Sequence, residues 1–192
     1  VLRCLPASAG QLSSRPLGAT DYACCRGIVS HVNGYILDTN VFNRAADGRI
    51  QLPDLHSEVH YYATHIQVDE LSATKDETRR TSLLQQFFAI DPMRLPTESF
   101  VYDVSRGDLA KWGDGILFPQ IRALLDARNH AKSSNIQDAL IAQTAIKNSL
   151  TLVSEDADLR LVVSQLGGSA VRVGQIDPSG SRQRIPPSPP RW

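Results

Sequence analysis

The sequence has few cysteines, few aromatic residues and no net charge, and these shortages exclude several classes of protein. Its 192 residues include only three cysteines, Cys4, Cys24 and Cys25. An odd number grouped near one end does not form the disulfide framework of a small secreted domain. The 20 basic residues balance the 20 acidic ones, so bulk charge does not indicate a nucleic-acid-binding protein. A basic surface patch is neither shown nor excluded by this composition.

Long apolar runs are also missing. No stretch approaches the length that spans a bilayer, so we expect no membrane partner. The first residues lack a charged start followed by a continuous apolar stretch, and we therefore expect no signal peptide and a reducing, cytoplasmic location. No glycine-rich phosphate loop follows a predicted strand, which counts against a simple nucleotide- or phosphate-binding αβ domain.

Composition divides the chain into three regions. Residues 1–30 are rich in Gly, Ser, Ala and Pro and show no sustained helical or strand period, which predicts a poorly ordered extension. Residues 176–192 include the run Arg184-Ile185-Pro186-Pro187-Ser188-Pro189-Pro190, which favours polyproline II and predicts a disordered tail. Residues 31–175 remain as one domain of ordinary size.

Short apolar runs alternate with helical patterns inside this domain. We predict strands at residues 35–37, 59–64, 99–104, 150–154 and 170–173. We predict helices at residues 39–46, 66–90 with a break near 74–76, 119–130, 136–148 and 156–166. This alternation predicts an α/β fold whose central, mostly parallel sheet is covered on both faces. Ligands of such sheets bind outside the carboxyl ends of the strands.

Two acidic residues follow predicted strands directly. Asp38 comes after the strand at residues 35–37, and Asp156 comes shortly after Val153. Both also have structural explanations, because Asp38 could begin a turn and Ser154 could be a helix N-cap with Asp156 in the first turn. Neither residue is a functional candidate when it is considered alone.

Two further acidic residues lie on predicted helices. Asp138 falls in the first turn of its helix, where Ser134 or Asn135 could be the N-cap and the carboxylate a capping group. Glu70 lies on the helix after the second strand, and periodicity does not choose between it and Asp69. As a set, carboxylates at one site repel one another unless a cation neutralises them. A ligand set of Asp and Glu suits Mg²⁺ or Mn²⁺, which can activate water to hydrolyse a phosphodiester.

The sequence resembles the PIN-domain family and, within it, the VapC-type toxin ribonucleases. The segments that carry the resemblance lie in the family's order at residues 35–42, 64–71, 135–142 and 151–159. The resemblance implies a three-layer αβα sandwich with one or two Mg²⁺ or Mn²⁺ ions. It also implies an endoribonuclease toxin that acts on RNA, is inhibited by a cognate antitoxin protein and forms a homodimer.

Matching the segments residue by residue gives the expected site. The implied catalytic residues and metal ligands are Asp38, Glu70, Asp138 and Asp156. Asp158 competes with Asp156, because Ser154-Glu155-Asp156 stands where the family usually has Thr-x-Asp. Thr39 or Asn40 would orient the first acid through hydrogen bonds, and Ser154 would do so at the fourth.

Several alternatives stay open at this level. The chain could instead be a non-catalytic PIN-like module that binds RNA or a protein, although it retains all four acids. The sequence does not choose between RNA and DNA as substrate. The segment at residues 91–115 is longer than a minimal domain needs, and it could be a clamp, a partner-binding insertion or a surface loop.

Overall fold

A computed structural model describes residues 34–52 and 59–176 of the chain, and in these residues helices cover a five-stranded parallel sheet. The predicted extension at residues 1–30 lies outside the described residues. So does the predicted tail at residues 176–192, apart from Ile176. Across the two described stretches, no helix is both long enough and apolar enough to cross a bilayer.

The sheet has a switch in strand order at its centre. The strands are β1 Gly34–Leu37, β2 His60–Ala63, β3 Met93–Arg94, β4 Thr151–Val153 and β5 Ser169–Val171. The helices are α1 Thr39–Ala46, α2 His65–Ser72, α3 Glu77–Ile90, α4 Leu117–Asn129, α5 Asn135–Lys147 and α6 Ala157–Gln165. The strand order is β3-β2-β1-β4-β5 and every pair is parallel. The order reverses between β1 and β4, where open parallel sheets form a ligand crevice.

Side chains on the two faces of the sheet build two separate cores. Ile36 of β1 and Leu152 of β4 are buried against α4, α5 and α6. Tyr35 and Leu37 of β1, with Val153 of β4, are buried on the other face against α1 and α3. Successive side chains of a strand point to opposite faces, so each short strand contributes to both cores. This arrangement confirms the predicted αβα sandwich with a parallel central sheet.

The break predicted within residues 66–90 is confirmed. Helix α2 ends at Ser72, and α3 begins at Glu77. The carboxylate of Asp76 accepts a hydrogen bond from the backbone N–H of Arg79 at 2.6 Å, which satisfies one of the unpaired donors of the first turn. An aspartate in this position therefore starts a new helix where the apolar period alone would have continued the old one.

The strand predicted at residues 99–104 is wrong, and β3 was not predicted. Val101 and Val104 lie in a turn, where the Val104 N–H donates to the Val101 carbonyl at 3.2 Å. Both side chains pack against the core beneath α4 and α5, so their apolar character reflects contact with that core. Strand β3 has only two residues, Met93 and Arg94, and both are exposed at the sheet edge. Such a strand has no apolar alternation to reveal it.

The central strands should dominate stability. Replacement of Leu152 by Ala removes a fully buried side chain from the middle of β4, and we expect it to cost about 2–5 kcal/mol. The matched control is Leu161→Ala on α6, whose side chain is 45% exposed, with an expected cost below about 0.5 kcal/mol. Urea unfolding followed by circular dichroism measures both. Similar costs for the two variants would contradict the assignment of Leu152 to the core.

Candidate functional site

Asp38 is fixed at the switch point by the register of the central strands. Leu37 pairs with Val153, so the residue after each strand lies beside the other. The Asp38 N–H donates to the Val153 carbonyl at 2.9 Å. The Ser154 hydroxyl donates to the Asp38 carboxylate at 2.7 Å, and Asp38 is only 2% exposed. Asp38 occupies the N-cap position of α1, where the backbone N–H groups of Thr39 and Asn40 offset part of the effect of burial on its pKa.

A chain of hydrogen bonds continues from Asp38 to the fourth acid. The Asn40 amide donates to Ser154 Oγ at 3.1 Å, and Asn40 Oδ1 accepts from the Glu155 N–H at 3.1 Å. The Asp156 N–H also donates to Ser154 Oγ, at 3.0 Å. The Ser154 hydroxyl therefore connects the loop after β4 to the loop after β1.

Asp156 begins α6. Its carboxylate accepts from the N–H groups of Asp158 and Leu159, at 2.8 and 3.3 Å. The suggestion that Ser154 is the N-cap of this helix is therefore wrong, because the helix begins at Ala157 and Asp156 caps it. Cap hydrogen bonds hold one oxygen of the Asp156 carboxylate and fix the direction of the group.

Glu70 is the acid that α2 directs into the site. The Thr39 hydroxyl, at the start of α1, donates a hydrogen bond to Glu70 Oε2. Asp69, its neighbour, instead forms a partly exposed ion pair with Arg106. The tertiary contacts thus settle the choice between Asp69 and Glu70 that periodicity left open.

Gln67 anchors α2 to β1 and was missed at the sequence level. Its side-chain oxygen accepts from the Thr64 N–H at 2.9 Å, and the Thr64 hydroxyl accepts from the Ile66 N–H at 3.2 Å. Its Nε2 donates to the Leu37 carbonyl at 3.1 Å, one residue before Asp38. The Thr-x-x-Gln spacing is a capping-box pattern, so this signal was present in the sequence. Its bond to β1 depends on the tertiary structure.

Asp138 approaches the same edge from α5. It lies in the first turn of this helix, and Ser134 occupies the N-cap position without a capping hydrogen bond from its side chain. The Ser134 hydroxyl instead lies 3.4 Å from the Asp138 carboxylate. Of the two N-caps suggested by the sequence, Ser134 holds the position and Asn135 is already helical.

Three of the four acids have raised pKa values, and each of the three is repelled by at least one other acid of the site. Burial raises the pKa of Asp38 to about 6, with repulsion from Asp156 adding to the effect and the Ser154 hydroxyl offsetting part of it. Burial raises the pKa of Glu70 to about 7, and Asp38 contributes repulsion. Burial raises the pKa of Asp138 to about 8, and repulsion from Asp38, Glu70 and Asp156 contributes to this rise. Like charges that repel inside a low-dielectric site favour the protonated forms.

The donor set fits a hard cation chemically, but its side chains do not yet form a coordination shell. Four carboxylates without cysteine or histidine suit Mg²⁺ or Mn²⁺. A cation would also relieve the repulsion that raises the three pKa values. Within the described stretches, however, no group of three or more His, Cys, Asp or Glu side chains is positioned to hold a metal ion. The residues that would hold it are Asp38, Glu70, Asp138 and Asp156.

The supporting residues differ in detail from the expectation. The Thr39 hydroxyl bonds to Glu70 and the Asn40 side chain bonds to Ser154, while the backbone N–H groups of Thr39 and Asn40 act on the Asp38 carboxylate. Ser154 bonds to the first acid as well as to the backbone of the fourth.

Asp158 lies apart from the four acids. It was the competitor of Asp156 at the fourth position, but its carboxylate lies 4.0 Å from the Arg128 guanidinium. Asp156 repels both Asp38 and Asp138. This geometry favours Asp156 as the fourth member of the site.

Comparison with known proteins finds similarity among solved structures only. No protein-family model matches the sequence, and no curated protein matches it. Similar structures include VapBC2 from Rickettsia felis bound to a DNA fragment from its promoter, at 18% identity and a TM-score of 0.46 over 72% of this chain and 98% of that one. FitAcB from Neisseria gonorrhoeae matches at 18% identity and a TM-score of 0.39, over 74% of this chain and 99% of that one.

A third similar structure is VapBC-5 from Mycobacterium tuberculosis, a member of the VapBC family of toxin–antitoxin systems. Its identity is 18% and its TM-score 0.41, over 72% of this chain and 98% of that one. At this level of identity and superposition, nothing about function follows from the three matches. The fold assignment rests on the layers and strand order described above.

The raised pKa of Asp138 gives a prediction about stability. The folded-state value of about 8 exceeds the ordinary value of 3.8, so the metal-free folded state holds a proton that the unfolded state releases. Stability should therefore fall as pH rises between about 4 and about 8. We expect Asp138→Asn to stabilise the metal-free protein at pH 8 by on the order of 2 kcal/mol, and thermal unfolding in EDTA measures it.

The control for this experiment is Asp158→Asn, which removes a carboxylate outside the group. Its partly exposed ion pair with Arg128 should contribute less than about 1 kcal/mol. At pH 4.5 the advantage of Asp138→Asn should largely disappear, since the wild-type carboxyl is then protonated in the folded state. Destabilisation by Asp138→Asn at pH 8 would show that the four carboxylates do not repel one another as described.

Proposed function

We propose that this chain is a metal-dependent endoribonuclease that hydrolyses RNA phosphodiesters with metal-activated water, and that it is the toxin of a toxin–antitoxin pair. The observation that carries the proposal is the convergence of four carboxylates from four separate elements at the switch point of a parallel sheet. Burial, with repulsion among the acids adding to it, raises the pKa values of Asp38, Glu70 and Asp138. Such perturbed groups in a crevice are typical of functional sites.

The roles of the side chains follow from their hydrogen bonds. Mg²⁺ or Mn²⁺, when bound, would lower the pKa of a coordinated water and stabilise the charge that develops on the phosphoryl oxygens. Ser154 holds one oxygen of Asp38, and Thr39 holds one oxygen of Glu70. Fixing the ligand carboxylates through neighbouring hydroxyls keeps them in place before the metal binds.

The choice of RNA, the toxin role and the partners rest on the motif resemblance. The segments around Asp38, Glu70, Asp138 and Asp156 resemble those of VapC-type ribonucleases, and a cognate antitoxin and a homodimer belong to the proposal for that reason. The four carboxylates alone would serve hydrolysis of either RNA or DNA.

A non-catalytic PIN-like module that binds RNA or protein is the second candidate. The observation that favours it is that, in the part of the chain that the structure describes, no three of these acidic or other ligand side chains are positioned to hold a metal ion. The hydrogen bonds of Ser154 argue against this candidate, because they link Asp38 to the backbone of Asp156. They thereby hold carboxylates that repel one another in a buried position. A protein-binding surface alone has no need of that arrangement.

Cleavage of a mixed RNA substrate tests the proposal directly. With the purified full chain at pH 8, where the acids are most readily deprotonated, we expect cutting in Mn²⁺ or Mg²⁺ and none in EDTA. Asp38→Asn removes a ligand charge yet keeps the side-chain shape, and it should lower the rate by at least roughly a hundredfold. Denaturing gel electrophoresis of the products measures the rate.

Asp158→Asn is the matched control, because it removes the same charge two residues from Asp156. It should retain metal-dependent cleavage. Single-stranded DNA assayed in parallel separates the two possible substrates. If folded, metal-supplemented protein cuts neither RNA nor single-stranded DNA, the second candidate replaces the first and partner capture becomes the informative experiment.

The homodimer is testable without a partner. We expect the purified full chain, of 21.1 kDa, to have about twice that mass in size-exclusion chromatography with light scattering, because most small homo-oligomers are two-fold dimers. A monomeric mass across the micromolar range would remove the homodimer from the proposal and leave the hydrolytic activity unaffected.

A further inference from the structure

Two basic residues lie where α4 is joined to α5. Arg128 lies in the last turn of α4, and Lys132 lies in the loop at residues 130–134 that joins α4 to α5. We call Arg128 and Lys132 the basic rim. The bulk charge of the chain is zero, so local clustering is what would attract an anionic substrate.

Contacts place this loop next to the site at two points. The loop ends at Ser134, whose hydroxyl lies 3.4 Å from the Asp138 carboxylate. At its other end, the Arg128 guanidinium lies 4.0 Å from the carboxylate of Asp158. The backbone N–H of Asp158 in turn donates to the Asp156 carboxylate at 2.8 Å. The loop that carries Lys132 therefore ends beside the third acid, and Arg128 contacts a residue whose backbone bonds to the fourth.

The loop is held rigidly by buried amides at both ends. Asn129 and Asn135 exchange two side-chain hydrogen bonds of 2.8 and 2.7 Å. Asn135 also donates to Asp126 at 2.6 Å, and the two asparagines are 8% and 1% exposed. A reciprocal amide pair that is buried in this way fixes the ends of a loop in one geometry.

The backbone inside the loop adopts an unfavourable conformation. His130 and Ala131 have φ angles of 59° and 53°, the left-handed region that glycine usually occupies. Alanine has no polar side chain to offset the steric cost, which is of order 1–2 kcal/mol for a non-glycine residue. Residues held in such conformations cluster at ligand-binding and catalytic sites. His130 is the C-cap of α4, where this conformation commonly ends a helix, so Ala131 is the residue whose conformation helix termination does not explain.

The two rim cations retain free hydrogen-bonding capacity. In residues 34–52 and 59–176, the Arg128 guanidinium makes no hydrogen bond and has only the 4.0 Å contact with Asp158. Lys132 has no ion pair within the same two stretches. By contrast, Lys147, at the opposite end of α5, forms a hydrogen-bonded pair with Asp114. A positive charge in the last turn of a helix interacts favourably with the helix dipole, which would account for Arg128 on α4. Lys132 lies in the loop beyond the helix, so this explanation does not extend to it.

We infer that Arg128 and Lys132 bind phosphates of the RNA strand on either side of the bond that is cut, so that the rim positions the substrate over the acids. The inference rests on the proposed function and names how that same site holds its substrate. Arg128 would form paired hydrogen bonds with one phosphate, as guanidinium groups do, and Lys132 would act as a point charge.

The test separates binding from cleavage. Fluorescence anisotropy of a labelled single-stranded oligouridine of about twenty nucleotides is measured with full-length Asp38→Asn protein in EDTA, over a series of salt concentrations. Adding Arg128→Ala and Lys132→Ala should weaken binding by roughly tenfold at low salt. It should also reduce the slope of log affinity against log salt by about 1.4, since each contact with a single strand contributes about 0.7.

The matched control adds Arg122→Ala and Lys147→Ala to the same background. Arg122 lies on α4 and Lys147 on α5; they are 47% and 39% exposed and pair with Asp126 and Asp114. The control should leave both affinity and slope close to those of Asp38→Asn alone. Thermal unfolding of each variant verifies that the proteins compared are folded.

The outcomes are distinct for the two proposals. Equal losses in the rim variant and the control, or no measurable binding before the rim is changed, would overturn the role of the rim. If the wild-type chain cuts RNA in Mn²⁺ while the rim and control variants bind RNA equally, the proposed hydrolysis is supported and the proposed phosphate binding by the rim is overturned. If the rim variant loses binding while the wild-type chain never cuts RNA, the rim stands as a phosphate-binding surface and the proposed hydrolysis fails.

Discussion

The repulsion among Asp38, Glu70, Asp138 and Asp156 has to be balanced by the rest of the domain. Burial and like charge together raise the pKa values of three of these residues to between about 6 and about 8. An unrestrained chain would relieve such repulsion by turning the side chains towards solvent. The domain prevents this with two apolar cores beneath the site, which fix the elements that carry the acids.

Short polar side chains complete the restraint close to the carboxylates. Ser154 joins the loop after β4 to Asp38, and Thr39 joins the start of α1 to Glu70. Gln67 ties α2 to the last residue of β1. These groups are themselves buried, so each must find a partner, and the acids and backbone of the site supply those partners. Stability and site geometry therefore depend on the same hydrogen bonds.

The basic side chains of α4, of α5 and of the loop between them differ in whether they are paired with carboxylates. Arg122 of α4 and Lys147 of α5 are paired with carboxylates, whereas the basic rim has, among the described residues, only the 4.0 Å contact of Arg128 with Asp158. The buried asparagine pair and two left-handed residues hold the loop between the two helices in place. A substrate with regularly spaced negative charges would meet the rim and the acids at the same edge of the sheet.

Local pattern predicted most of the helices because their signals lie within a few residues. The bounds of α1 were predicted without error, and the break before α3 followed from polar residues around Asp76. Prediction failed where an element depends on distant partners. Strand β3 exists only because the edge of β2 is available to it, and the turn around Val101 is apolar only because it packs against the core beneath α4 and α5.

The sequence by itself determined the alternation of strands and helices and the parallel sheet, while the resemblance of its motifs named the candidate acids. Those features follow from apolar period, turn residues and short motifs, which act over one or two turns of chain. Only the tertiary structure decided that Glu70 and not Asp69 faces the site, that Ser154 serves Asp38, and that Asp158 turns away towards Arg128. Each of those outcomes depends on contacts between residues far apart in sequence, whose distances are set by the register of β1 and β4 and by the packing of helices on the sheet.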